Sequence, residues 1–184
     1  DPNFRGGARS GIGDINGDGV GDLVVAAGFG GGPRVAVFDG TSVAKGVYTR
    51  RLAPDFFAFE ETLRNGVYVA IGDLDVDGKS ELVAGGGPGG GPRLSAFSGS
   101  ALLQGIQTRI ADFFAGEADN RGGVRLAVKD LDGDGLADLV TGAGTGAGSR
   151  VTGYTGQTVV GKGSPDPLFA FDAVPGFTGG VFVG

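Results

Sequence analysis

Hydrophobic residues occur along the chain in short runs that are separated by glycine, proline and aspartate. Some runs alternate with other residues, as Val67, Val69 and Ile71 do, which predicts a strand with one buried face. Other runs are continuous over a few residues, as from Leu23 to Ala27. Both kinds are short and rich in Val, Leu and Phe, and turn residues bound them. The pattern therefore predicts an all-β protein built from many short strands.

The runs group into units of four predicted strands. In each unit an alternating strand precedes an acidic stretch, a second strand follows it, and a third follows a glycine-rich turn. The fourth lies beyond a longer connection, and a helical turn is the alternative for residues 99–116. The predicted second strands are Leu23–Ala27, Leu82–Ala84 and Leu139–Thr141. The predicted third strands include Val35–Phe38 and Leu94–Phe97. The predicted fourth strands are Phe56–Phe59, Phe113–Phe114 and Leu168–Phe171.

The acidic stretch occurs three times, and it defines an internal repeat. It reads GDINGDGVGDLVVAAG, GDLDVDGKSELVAGGG and KDLDGDGLADLVTGAG, and its first aspartates are Asp14, Asp73 and Asp130. Other features keep the same phase, namely an arginine 20 residues after that aspartate and an aromatic residue 24 after it: Arg34, Arg93 and Arg150, with Phe38, Phe97 and Tyr154. The predicted units are residues 1–65, 66–122 and 123–179, and residues 180–184 are predicted to open a further one.

A four-stranded unit cannot bury both of its faces, so stacking around an axis as the blades of a β-propeller is the expected solution. Closed propellers need about 4–8 blades. The first and last segments, FRGGARSG and FTGGVFVG, also occupy the same phase of the repeat. We therefore expect a partial propeller that is completed by further blades of a longer chain, by a second copy in a two-fold ring, or by copies joined head to tail.

Composition excludes several classes of function. The formal charge of −6 argues against a nucleic-acid surface, and no apolar run has the length of a membrane helix. The absence of His and Cys removes the usual catalytic bases and nucleophiles, so we expect no enzyme. The absence of Met leads us to expect a processed product or an excised piece.

The acidic stretches have the composition of a calcium loop. Carboxylates at positions 1, 3, 5 and 9 of a tight turn, with glycine at position 6 and a carbonyl at position 7, would form a shell of hard oxygen ligands. Three sites for Ca²⁺ are predicted, one in each repeat. Their predicted ligands are Asp14, Asn16, Asp18, Val20 and Asp22; Asp73, Asp75, Asp77, Lys79 and Glu81; and Asp130, Asp132, Asp134, Leu136 and Asp138, with Val20, Lys79 and Leu136 contributing carbonyls.

Three other interpretations of these loops were weighed. Solvated hairpin turns explain one acidic loop but not three in phase. An EF-hand needs Glu at position 12 on a following helix, whereas that position holds Val25, Ala84 or Thr141 in a strand-like run. Mg²⁺ demands tighter octahedral geometry and retains its waters, so Ca²⁺ is favoured.

With its glycine-rich turns GFGGGPRVAVFDG and GGGPGGGPRLSAFSG, the chain resembles the FG-GAP repeat of integrin-α-type β-propellers and related bacterial repeats over essentially its whole length. The resemblance implies four-stranded blades, calcium in the loop between the first two strands, and a secreted or surface protein. The sequence departs from the pattern at Asn16 and Glu81, and its third glycine turn lacks proline.

The function expected from these features is a non-catalytic, calcium-binding module for extracellular adhesion or assembly. Partners would be further copies or blades, or a surface protein. The alternative is a carbohydrate-binding or auxiliary module of a polysaccharide-degrading enzyme. The in-phase arginines would either pair with acidic loops of a neighbouring blade or bind anionic sugars.

Overall fold

The protein is described by a computed structural model over residues 3–161 and 163–184. In these ranges the chain forms three antiparallel sheets of four strands, each in chain order. Sheet 1 contains β1 (Ala8–Gly13), β2 (Asp22–Ala27), β3 (Arg34–Phe38) and β4 (Phe56–Phe57). Sheet 2 contains β5 (Val67–Gly72), β6 (Glu81–Gly86), β7 (Arg93–Phe97) and β8 (Arg109–Phe114). Sheet 3 contains β9 (Val124–Lys129), β10 (Asp138–Ala143), β11 (Arg150–Tyr154) and β12 (Phe169–Asp172). The all-β prediction with three four-stranded units is confirmed.

A short helix follows the third strand of every sheet. The helices are α1 (Gly40–Ala44), α2 (Gly99–Leu102) and α3 (Gly156–Gly161). A side chain caps each start, because Asp39, Ser98 and Thr155 accept hydrogen bonds from backbone N–H groups three residues on. From the sequence a helical turn was an alternative only in the second unit. The other two helices were not predicted, because runs of four to six residues are too short to show helical periodicity.

The sheets pack face to face, and apolar residues of the facing strands form two cores. Between sheets 1 and 2 the core includes Val24, Val35, Leu82 and Phe97, all almost fully buried. The core between sheets 2 and 3 is formed in the same way. At each interface an aromatic residue of the outermost strand meets one of the next sheet edge to face: Phe56 with Phe97 at 5.1 Å, and Phe113 with Tyr154 at 5.4 Å between ring centroids.

The first strands of the sheets lie side by side, β1 against β5 and β5 against β9. Glycine allows this close approach. A Cβ atom at Gly13 would lie 2.3 Å from Cγ2 of Ile71, and one at Gly72 would lie 2.3 Å from Cγ1 of Val128. The side chain of one sheet therefore occupies the space that glycine leaves on the preceding sheet.

Residues 180–184 lie outside the three sheets but contact sheet 3. The N–H of Val181 donates to the carbonyl of Ala143 at 3.0 Å. Gly180 has a φ of 77°, close to the 69° of Gly66 and the 72° of Gly123, which directly precede β5 and β9. We call residues 180–184 the tail. It contacts sheet 3 in the place that β5 and β9 take on the preceding sheets.

Candidate metal centre

Each acidic loop joins the first two strands of its sheet as a hairpin. The backbone turns through left-handed residues at positions 4 and 6, and five of these six residues are glycine. The exception is Val76 at position 4 of the second loop, whose φ is 68°. A β-branched residue in this region is strained, so the loop geometry outweighs the local preference of the chain there.

The first aspartate of each loop fixes the turn. In the first loop the N–H groups of Gly17 and Gly19 donate to the two carboxylate oxygens of Asp14, both at 2.7 Å. The same two bonds recur at Asp73 and Asp130. Side-chain-to-backbone bonds of this kind favour turns over continued strands. The loop is therefore bent by its own carboxylates.

The ninth residue of each loop is a buried carboxylate that joins the loop to the following helix. One oxygen of Glu81 accepts from Leu74 N–H at 2.9 Å, and the other accepts from Gly99 N–H at 3.3 Å, at the start of α2. Asp22 and Asp138 make the equivalent pairs of bonds in the other units. In Asp22, Oδ2 also accepts from Asn16 N–H at 3.3 Å, whereas each oxygen of Glu81 keeps a second lone pair for another donor or a metal ion.

Negative charges are crowded in the second loop, and burial together with these charges raises the pKa values of two of its carboxyl groups. Burial, reinforced by the charges of Asp75 and Asp77, raises the pKa of Glu81 to about 7. Burial also raises the pKa of Asp75, and the neighbouring Asp77 and Asp73 act in the same direction. The backbone bonds to these carboxylates therefore do not offset the cost of holding them together in ionised form.

Two loops bring three carboxylates together. Oxygens of Asp73, Asp75 and Glu81 lie within 4.8 Å of one another, and so do oxygens of Asp130, Asp132 and Asp138. In the described part of the chain the first loop forms no such group of three, because position 3 is Asn16. The amide of Asn16 donates to Asp18 at 3.2 Å instead.

The remaining predicted ligands lie in the same loops but outside these groups. At position 5, Asp18 and Asp77 accept hydrogen bonds from the hydroxyls of Thr41 and Ser100, at 3.3 and 2.5 Å. The position-7 residues donate their N–H groups to the position-5 carboxylates: Val20 to Asp18, Lys79 to Asp77 and Leu136 to Asp134. Ligation of a metal ion by any of the predicted ligands stays a prediction.

The donor set of these loops fits a hard divalent cation. All donors are carboxylate, amide or carbonyl oxygens, which Ca²⁺ prefers. Within residues 3–161 and 163–184, no loop carboxylate forms an ion pair with an arginine or lysine. In this part of the chain, the clustered charge is therefore not balanced by direct ion pairs.

Neighbouring loops are linked through their backbones. The N–H of Ser80, at position 8 of the second loop, donates to the carbonyl of Asp14 at 2.7 Å, and that of Ala137 donates to Asp73 at 3.0 Å. The geometry of one loop is thus coupled to that of the next. Neither this link nor the helix contact of the ninth carboxylate was derived from the sequence, although the glycines at 40, 99 and 156 recur 18 residues after it and could have signalled the contact.

The in-phase arginines do not pair with the acidic loops, contrary to one of the two expectations. Their carboxylate partners lie on or beside the fourth strands instead, with Arg34 bound to Asp55 at 2.7 Å and Arg93 to Asp112 at 2.8 Å. Arg93 also reaches Glu60 of the preceding unit at 2.8 Å. These arginines start the third strands and therefore lie at the end of the sheet away from the acidic loops.

A cavity of about 260 Å³ lies between sheets 1 and 2 near the glycine-rich turns. Its lining includes Phe59, Phe114, Arg93 and Arg121. Arg93 is held by its two carboxylates, and Arg121 donates to the carbonyls of Ala118 and Asn120. The cavity is thus apolar with polar edges.

Comparison with known proteins gave a solved structure with a similar fold and a family model that matches part of the third unit. The crystal structure of rhamnogalacturonan lyase YesW matches with a TM-score of 0.53 and 16% identity, over 91% of this chain and 34% of that chain. The chain thus spans about a third of that enzyme's length, and the likeness concerns the fold. A search of curated proteins gave no match.

None of the helices in the described ranges has the length and apolar character needed to cross a membrane.

The family model for the FG-GAP repeat matches residues 122–160, which include the third acidic loop, the strands on both sides of it and most of α3. This stretch of the third unit therefore matches the FG-GAP repeat, which is consistent with an FG-GAP-type repeat protein.

Proposed function

We propose that the chain is a calcium-binding β-propeller module in which each acidic loop holds one Ca²⁺, and that it serves extracellular adhesion or assembly without catalysis. One observation carries the metal assignment: two loops gather three carboxylates each, one of them buried, and among the described residues none of these carboxylates pairs with a cationic side chain. A divalent cation would convert this repulsion into attraction.

The proposed ion would act as a structural bridge. The ninth carboxylate already connects the loop to the following helix, so an ion bound to it would stabilise that connection as well as the loop. Loops of this oxygen-only type in extracellular modules bind Ca²⁺ at about 10⁻⁴–10⁻³ M. We expect an affinity in this range, which would suit millimolar extracellular calcium.

Isothermal titration calorimetry of the chelator-treated chain with CaCl₂, and in parallel with MgCl₂, tests the assignment. We expect calcium binding at two comparable sites and one weaker site, and a melting temperature that rises with calcium. Asp130→Asn should remove one site, whereas Asp166→Asn, an equal charge change at an exposed position outside the loops, should leave all of them. Absence of heat with calcium, or equal loss in both variants, would reject the proposal.

A carbohydrate-binding role is the second candidate. The cavity between sheets 1 and 2 favours it, because aromatic residues beside arginines suit sugar rings that carry carboxylates. The similar fold of a rhamnogalacturonan lyase makes an acidic polysaccharide the probe to use. A rise in melting temperature with oligogalacturonate that Phe114→Ala abolishes would favour this role over assembly.

A further inference from the structure

The two end sheets expose apolar faces whose equivalents are buried inside the molecule. We define the exit face as the side of sheet 3 that carries Leu131, Val140, Val151 and Phe171. The strand register makes Phe171 the equivalent of Phe56 and Phe113, because they pair with Val151, Val35 and Leu94. Phe56 and Phe113 are 3% and 5% exposed, whereas Phe171 is 51% exposed.

The second position of the acidic loops shows the same difference. Ile15 and Leu74 are covered by the next sheet and are 0% and 1% exposed, but Leu131 is 37% exposed. The exit face thus repeats the apolar pattern by which sheets 1 and 2 bind the sheet that follows them.

The opposite end of the molecule carries the complementary surface. The entry face of sheet 1 contains Ile12, Leu23, Val25 and Phe38. Ile12 is 71% exposed, whereas its equivalent Ile71 is 9% exposed against sheet 1. Phe38 is the equivalent of Phe97 and Tyr154, the ring partners of Phe56 and Phe113. Arg51 lies 3.6 Å from the centre of the Phe38 ring, whereas Arg109 lies 5.5 Å from the centre of the Phe97 ring that contacts Phe56, so Arg51 would have to move outward for the equivalent contact to form.

Polar groups match as well. Between the sheets, the position-8 N–H of one loop donates to the position-1 carbonyl of the preceding loop. In the described ranges the N–H of Gly21 and the carbonyl of Asp130 take part in no backbone bond of this kind. They are the donor on the entry face and the acceptor on the exit face.

We propose that the exit face of one copy binds the entry face of a second copy, head to tail, with Phe171 against Phe38 of the second copy. The occupant is a second copy because the chain itself carries both halves of an interface that it already forms twice internally. This inference deepens the assembly role proposed above, and it stands or falls separately from calcium binding, which the calorimetry of the chain measures.

The tail bears on this arrangement. It occupies on sheet 3 the place that β5 and β9 take on the preceding sheets, which is where β1 of a second copy would lie. Its contacts include the bond from Val181 to Ala143, the packing of Arg125 over Phe182 at 4.6 Å, and an edge-to-face contact of Phe182 with Tyr68 at 6.4 Å. The tail and the second copy's β1 therefore compete for one place.

One residue departs from the internal pattern. Gly13 and Gly72 accept the side chains of Ile71 and Val128, but the equivalent position on sheet 3 is Lys129. Its side chain would obstruct Ile12 of the second copy. We therefore expect Lys129→Gly to tighten association several-fold.

Analytical ultracentrifugation up to millimolar chain concentration tests the proposal with two variants that each damage one face. Phe171→Glu and Ile12→Glu should each abolish the self-association of the wild-type chain, while Tyr48→Glu, at an exposed aromatic position in the loop after α1, should not. An equal mixture of Phe171→Glu and Ile12→Glu should regain a one-to-one complex, because each retains the face that the other has lost.

Circular dichroism of each variant would show that the sheets are intact. Removal of residues 180–184 should tighten association several-fold. A monomeric wild type, association that survives both single substitutions, a mixture that stays monomeric, or weaker association after removal of the tail would each overturn the proposed pose.

Discussion

The first and second acidic loops share one hydrogen-bond skeleton but differ in charge and backbone strain. Both use the first carboxylate to fix the turn and the ninth to hold the following helix. The second loop has Asp75 and Glu81 where the first has Asn16 and Asp22, and only the second gathers three carboxylates. The skeleton therefore sets the shape of the loop, and the acidic side chains determine how strongly it needs a cation.

Removal of the ninth carboxylate tests the shared skeleton and should have the largest effect. Glu81→Ala leaves the buried N–H groups of Leu74 and Gly99 without their acceptor, which costs about 1–3 kcal/mol for each group. Chemical unfolding should show a loss of about 2–5 kcal/mol in the presence of a chelator. Asp119→Ala, at an exposed acidic residue outside the loops, is the control. If Glu81→Ala loses no more stability than this control, the ninth carboxylate does not hold the loop and the following helix together.

The charge of Glu81 should make the chelated chain less stable as the pH rises. Its pKa is raised from 4.5 to about 7 in the folded chain, so the folded state retains a proton that the unfolded state has lost. The favourable contribution is complete below about pH 4.5 and disappears as the pH rises through about 7, a change on the order of 2–3 kcal/mol.

Unfolding of the chelated chain between pH 5 and pH 8 measures this effect, and Glu81→Gln provides the control because it cannot titrate. The wild type should lose stability relative to Glu81→Gln across this range. Saturating calcium should reverse the slope, since the ion binds the ionised form. Parallel curves for the two proteins in chelator would show that Glu81 does not titrate there.

Exchange of the third residue should exchange the charge difference between the loops. Asn16→Asp gives the first loop the carboxylate it lacks, and we expect about tenfold tighter calcium binding, equivalent to about 1.4 kcal/mol. Asp75→Asn should weaken the second site by a similar factor. If the calcium dissociation constants of the two sites do not change in opposite directions, the number of carboxylates in a loop does not set its affinity for calcium.

Relief of strain in the second loop should have the smallest effect. Val76→Gly removes a β-branched side chain from a φ of 68°, at a position where the other loops have Gly17 and Gly133. The gain of about 1–2 kcal/mol from relaxed backbone is partly offset by the greater freedom of glycine in the unfolded chain, which leaves about 0.5–1 kcal/mol of stabilisation. Gly17→Val should destabilise the first loop by a comparable amount in thermal unfolding.

Much of the fold could be predicted because the same pattern of apolar, acidic and glycine residues occurs three times along the chain. Strand order, hairpin loops and the alternation of buried residues follow from local spacing, as Val67, Val69 and Ile71 illustrate. The short helices could not be predicted in this way, because a single turn held by Asp39 or Thr155 has no periodicity. Of the two roles expected for the arginines, pairing with the acidic loops was wrong, because their pairing with Asp55 or Asp112 depends on the register between the third and fourth strands.

The sequence by itself determined the repeat, its strands and the concentration of acidic residues in three glycine-containing turns, because these depend on neighbours along the chain. Only the tertiary structure decided that Glu81 is buried against α2, that Ser80 joins its loop to Asp14, and that Phe171 is exposed while Phe56 and Phe113 are covered. Burial is a property of what lies opposite a residue, and that surface comes from distant positions of the same unit for Glu81 and from a different unit for Ser80, Phe56 and Phe113.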